Sequence, residues 1–230
     1  MKRFGPVSMA FAALAVLPTV GCSSVFGDDV RENFHQVVPA AQTLQVSNAV
    51  GTVELDAWNK STIEIDAVKR GSSVDDVRAI AIHVQPQGST LVINTDFSGS
   101  SSNRKVEYTI HAPARTNLDI DESVGAIKST GFTANVREHA GTGAIETAMA
   151  AAGGAQRIVL DTSVGAIKLT LPASANAKVT ASASVGGVKS DFPLDVSTTT
   201  VGANANGSIG SGSATIDLSV ATGGIRILRE

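Results

Sequence analysis

Three acid–base side chains recur at one fixed offset from a repeated glycine. Asp121, His139 and Asp161 each sit four residues before it. If the repeats lie on adjacent strands, this column becomes a row with about 5 Å between neighbours, and Glu122 and Glu138 lie close by. Carboxylates flanking an imidazole can perform acid–base work or hold a cation, as acidic clusters do on polysaccharide-cleaving β-helices. The same row also reads as a solvated ladder in which a partly charged His139 relieves the repulsion between two aspartates. A second column falls three residues after the glycine: Glu54, then Lys128, Glu146, Lys168, Lys189, Ala205 and Arg226. Opposite charges on adjacent strands form cross-strand pairs; a run of Lys128, Lys168 and Lys189 would instead offer a basic strip to an anionic glycan or lipid headgroup.

Other routes to chemistry are closed by spacing. His35, His83, His111 and His139 lack metal-ligand spacing, so no metal site is expected. Neither a phosphate-binding glycine loop nor a Gly-x-Ser-x-Gly elbow between strand and helix is present, so no cofactor and no catalysis are expected. The net charge of −3 leaves no basic footprint for nucleic acid.

The elements that must position these columns follow from an internal repeat. Ser-Val-Gly-Ala-Ile-Lys stands at Ser123–Lys128 and again at Ser163–Lys168, with relatives at Ala49–Glu54, Gly141–Glu146, Ser184–Lys189, Thr200–Gly202 and Ala221–Arg226. The shared glycines are Gly51, Gly125, Gly143, Gly165, Gly186, Gly202 and Gly223. Apolar residues alternate with period two into each glycine and out again, as at Leu118, Ile120 and Ile127, which is a strand–turn–strand signature. One such unit cannot bury its own apolar face, so the units must stack. The sequence therefore predicts an all-β chain forming a single β-solenoid with rungs of about 16–22 residues. A Greek-key sandwich with glycine-rich turns is the alternative. Only 4% of residues are aromatic, so the interior must be filled by Val, Ile, Leu and Ala. The glycine either takes a backbone conformation closed to other residues or lets rungs approach closely. The last strand, Gly224–Leu228, is expected at an open edge that invites addition of a partner strand or edge-to-edge self-association.

The segment from Trp58 to Ala112 is less regular. Strands are expected over Thr62–Val68, Ala79–Val84, Thr90–Thr95 and Val106–Ala112, and a short helical turn over 73–78 with Ser73 as its N-cap. Phe97–Lys105 reads as an exposed loop.

The N-terminus reads as an address. Met1-Lys2-Arg3 precedes an apolar stretch, Met9–Val20, too short to span a bilayer as a helix. It ends at Thr19-Val20-Gly21-Cys22, which resembles the lipobox of bacterial lipoproteins, with Thr19 where Leu is usual. The expectation is a signal peptide over 1–21, lipidation of Cys22, a polar tether over 22–40 and one domain over 41–230. Such a protein is exported and held in the cell envelope by its lipid, at the outer membrane or a periplasmic face. Losing Lys2 and Arg3 takes the charge from −3 to −5.

The run Val46–Trp58, the alternating strand into Lys69-Arg70 and the serial Val-Gly-x-Ile units from Tyr108 to Lys189 resemble the putative-adhesin family of β-strand repeat proteins. The resemblance spans about Thr43 to the C-terminus. It implies surface display and a binding role toward an envelope glycan or protein, and it assigns no catalytic or binding residue. Two competing readings are a polysaccharide-active β-helix enzyme using Asp121, His139 and Asp161, and a purely structural envelope component.

Overall fold

In each repeat, the alternation of buried and exposed side chains changes phase at the glycine. Leu118, Ile120 and Glu122 point inward before Gly125, whereas Ile127 and Ser129 point inward after it. A straight strand would put these two sets on opposite faces. The chain instead bends at the glycine while its ladder continues, so both arms of one strand face a common core. The expected turn is thus a bend inside a continuous strand.

The computed structural model describes residues 30–98 and 103–230. Residues 1–21, Cys22 and the first part of the expected tether lie outside them. The described residues are all-β apart from one helical turn. Six long bent strands form its centre: β2 (Thr43–Trp58), β7 (Asn117–Phe132), β8 (Val136–Met149), β9 (Arg157–Leu171), β10 (Ala177–Ser190) and β13 (Ala214–Arg229). Neighbours among them run parallel, in the order β2-β7-β8-β9-β13-β10, within a 13-stranded sheet that does not close into a barrel.

Glycine explains why the bends align. Gly51, Gly125, Gly143, Gly165, Gly223 and Gly186 occupy one column and have φ between 135° and 152°. L side chains rarely adopt that backbone region. A Cβ on Gly125, Gly143, Gly165, Gly223 or Gly186 would also overlap the carbonyl oxygen of the neighbouring glycine in the column. Both roles expected of the glycine hold at once.

The remaining strands extend the two arms separately. One arm of β2 pairs with β5 (Thr90–Phe97), which forms an antiparallel hairpin with β4 (Ile80–Gln87). The other arm pairs with β6 (Lys105–Pro113), followed outward by β3 (Thr62–Gly71) and β1 (Val30–Pro39). At the far end, β12 (Ala203–Ile209) runs antiparallel to β10, and β11 (Asp195–Thr198) closes that side. The helical turn α1 (Val74–Arg78) is capped as expected, the Ser73 hydroxyl accepting the Asp76 N–H. The core between the arms is aliphatic, with Tyr108 and Phe132 its largest fully buried side chains.

Four expectations are corrected. Residues 30–39 form strand β1 rather than tether, because Phe34 and Val38 on one face of its alternation pack against the core. Gly202 is not a member of the glycine column; it lies in a turn where the Thr199 hydroxyl accepts its N–H, and the following strand runs antiparallel. Ala205 therefore leaves the charged column and is buried opposite Ala181. The last strand, β13, is no open edge: it is inserted between β9 and β10 and paired on both sides, so strand addition at Gly224–Leu228 is ruled out.

Candidate functional site

The bends place three rows of side chains on the outside of the sheet. Asp121, His139 and Asp161 are direct neighbours, and the row continues through Ser219 to Ser182. His139 Nδ1 lies 2.7 Å from Asp161 Oδ1. On the same face, Arg137 pairs with Asp119 and Arg157 with Asp217, each at 2.7 Å. The row borders an open depression of about 420 Å³ lined also by Thr180, Ser182 and Ser219. Arg137 and Asp119, and Arg157 and Asp217, neutralise one another across the strands in contact with solvent, which is the behaviour of a charge ladder.

Glu122 and Glu138 do not join that row. Each follows or precedes an outward residue by one position, so the period-two alternation turns it inward, and both are buried. Parity alone carried this signal. Asn48 Nδ2 donates to Glu122 Oε2 at 2.8 Å, and the Thr147 hydroxyl donates to Glu138 Oε2 at 2.6 Å. Burial pushes the Glu122 carboxyl up to about 8, against the opposing hydrogen bond from Asn48. Burial likewise pushes Glu138 up to about 7, opposed by the Ser129 and Thr147 hydroxyls. A carboxyl kept neutral in this way fits an apolar core better than a carboxylate.

The second row reads Glu54, Lys128, Glu146, Lys168, Arg226, Lys189 across the sheet. Its first half alternates in sign, with Lys128 bound to Glu54 and Lys168 Nζ 3.7 Å from Glu146. Insertion of β13 sets Arg226 between Lys168 and Lys189, so one end of the row is wholly cationic. Chain order puts Lys168 and Lys189 on successive repeats, and the crossover of β13 adds Arg226 between them.

The third row is apolar and exposed. The residue before each column glycine points outward on the convex side of the bend: Val50 is 38% exposed, Val124 49%, Val164 50% and Val185 50%. Thr142 and Thr222 complete the line. Val201, 63% exposed, extends it at the β10 end, where its carbonyl accepts the Gly186 N–H. The adjoining row is small: Thr52, Ala126, Ala144, Ala166, Gly224 and Gly187. The result is a smooth apolar ridge crossing the strands, bordered by the charged row.

Histidines far apart in the chain also meet carboxylates. His35 on β1 faces Asp66 on β3, Nδ1 to Oδ1 2.8 Å, and Glu64 stands two residues away on the same face. The ligand atoms of His35, Glu64 and Asp66 all lie within 4.8 Å of one another. On the other flank of β3, His111 is the cross-strand partner of Glu64, and its ring stacks on Trp58 with centroids 5.3 Å apart. Sequence spacing hid this cluster because β1, β3 and β6 are not consecutive.

No family model matches the chain, and no curated protein matches it in sequence. A crystal structure of a putative cell adhesion protein from Clostridium sporogenes is similar, with TM-score 0.63 and 15% identity, over 87% of this chain and 100% of that one. The likeness is one of fold. A putative adhesin from Bacteroides fragilis aligns over 89% of this chain and 100% of its own at 12% identity, with TM-score 0.44.

Proposed function

We propose that this chain is a non-catalytic binding scaffold of the bacterial cell envelope, an adhesin-like lipoprotein exported by residues 1–21 and anchored through Cys22. The six bent strands are read as rungs of a β-solenoid wound with one rung, β13, out of chain order. The observation that carries the binding reading is the exposed valine ridge, because the fold has no structural use for Val124, Val164 and Val185 on its convex side. The neighbouring Lys168, Arg226 and Lys189 add charge that would steer a partner with an acidic surface. A protein fits this ridge better than a glycan, since the ridge offers aliphatic groups and no ring on which a sugar could stack. The fold it shares with the putative cell adhesion protein from Clostridium sporogenes supports the same reading. The enzyme alternative is not favoured: His139 is engaged with Asp161, and Arg137 and Arg157 with Asp119 and Asp217, across the strands.

The test is capture of envelope proteins by the full-length chain and by a Val124→Asp/Val164→Asp variant of equal thermal stability. The wild type should retain a partner that the variant loses. Equal capture by both would remove the ridge from the binding surface. Anchoring is tested separately: Cys22→Ser should block incorporation of labelled fatty acid and release the protein from the membrane fraction. Acylation of that variant would overturn the anchor.

A further inference from the structure

We propose that His35, Glu64 and Asp66 bind a divalent transition-metal ion, with Zn²⁺ as the fitting member, and that the ion clips edge strand β1 to β3. The donor set is one imidazole and two carboxylates whose ligand atoms lie within 4.8 Å of one another. Zinc bonds of about 2.0–2.2 Å require donors on the order of 3.4 Å apart in a tetrahedral site. Closing that difference takes a small rotamer adjustment. The His35 and Asp66 side chains, 58% and 49% exposed, have room to make it, closing on the less exposed Glu64. The ion takes His35 Nδ1 in place of the present hydrogen bond to Asp66, and the imidazole proton resides on Nε2. It also displaces Lys60, whose Nζ lies 3.9 Å from the Glu64 carboxylate.

The imidazole, rather than the carboxylates alone, decides the class of ion. Calcium and magnesium take oxygen ligands, whereas imidazole suits zinc, copper and nickel. The surroundings add to the attraction. His111 stands beside Glu64 and Asp56 beside His111, so a second imidazole and a third carboxylate flank the site on the same face.

The position gives the ion a mechanical role. In β1 no residue is fully buried, and among the described residues β3 is its only neighbour in the sheet. Residues 1–29 precede β1 in the chain. A metal bridging His35 to Glu64 and Asp66 adds a bond across the ladder that holds β1 to β3. Neither the ridge nor the adhesin reading is needed for this inference.

The experiment uses the full-length chain in detergent, stripped with a chelator and titrated with Zn²⁺ or Ca²⁺ by calorimetry. Wild type is expected to bind one equivalent of Zn²⁺, and His35→Ala and Asp66→Asn each to weaken it by about 10-fold or more. Zn²⁺ should also slow tryptic cleavage after Arg31, a site on β1, in wild type but not in His35→Ala. All three positions are on the surface, so the variants keep the fold. Absence of saturable Zn²⁺ binding, variants that bind as wild type does, or Ca²⁺ binding of equal strength would each overturn the proposal.

Discussion

Gly223 lies directly beside Gly165 on the neighbouring strand, and a Cβ on Gly223 would overlap the carbonyl oxygen of Gly165. The whole of β10 separates the two in sequence. This contact ties together the two features that shape the molecule, the glycine column at the bend and the insertion of β13.

Gly165→Ala should destabilise the protein by more than about 2 kcal/mol, because it combines a strained φ with overlap against Gly143. Gly187→Ala is the control: a Cβ there meets open space, and the change should stay within about 0.5 kcal/mol. Urea unfolding compares the two. Equal midpoints would mean that the column glycines are replaceable.

A chain ending at Ser213 lacks β13 and should show no cooperative unfolding transition. Its loss leaves β9 and β10 each unpaired on one side and removes the buried Ile216, Leu218, Val220, Ile225 and Ile227. Were β13 an edge strand, the truncated chain would still melt cooperatively, at a lower urea concentration.

Stability should fall as pH rises from 5.5 to 8.5. In the unfolded chain Glu122 and Glu138 lose their protons near the ordinary 4.5, whereas the folded chain holds them to about 8 and about 7. Between these values the folded state binds more protons, so their contribution is complete below 4.5 and is lost as pH passes through about 7 and then 8. The change is on the order of a few kcal/mol. Glu138→Gln, neutral at every pH and still able to accept from Thr147, should flatten the slope. A slope unchanged in both Glu138→Gln and Glu122→Gln would assign the pH dependence elsewhere.

Val164→Ser should alter stability by about 0.5 kcal/mol or less, since half of the side chain is already in water. Ile167→Ala, three residues on and pointing inward, should cost about 2–5 kcal/mol. A penalty at Val164 as large as that at Ile167 would mean that the ridge valines serve the core and not a partner.

Much of the fold was legible because it is local and repeated. The strings around Gly125, Gly143, Gly165, Gly186 and Gly223 marked the bent strands, and the capping pattern at Ser73 placed α1. The outer charged rows followed from the same alignment, so Asp121, His139 and Asp161 do lie side by side. The outward orientation of the valines before the glycines was not legible. Val124 shares the parity of the inward Leu118, Ile120 and Glu122, but the bend between the arms reverses which parity faces inward.

By itself the sequence determined what a strand and its immediate neighbours dictate: an all-β chain, the spacing of its bends, and an interior built from small branched side chains. Backbone sterics at glycine and the period of two act over a few residues, so they are written into short strings. Tertiary structure alone decided which strand lies beside which. Pairing between strands is a long-range choice among nearly equivalent repeats, won by whichever arrangement buries the most apolar surface. That choice set β13 between β9 and β10, gathered Lys168, Arg226 and Lys189, and folded β1 against β3 so that His35 reached Asp66.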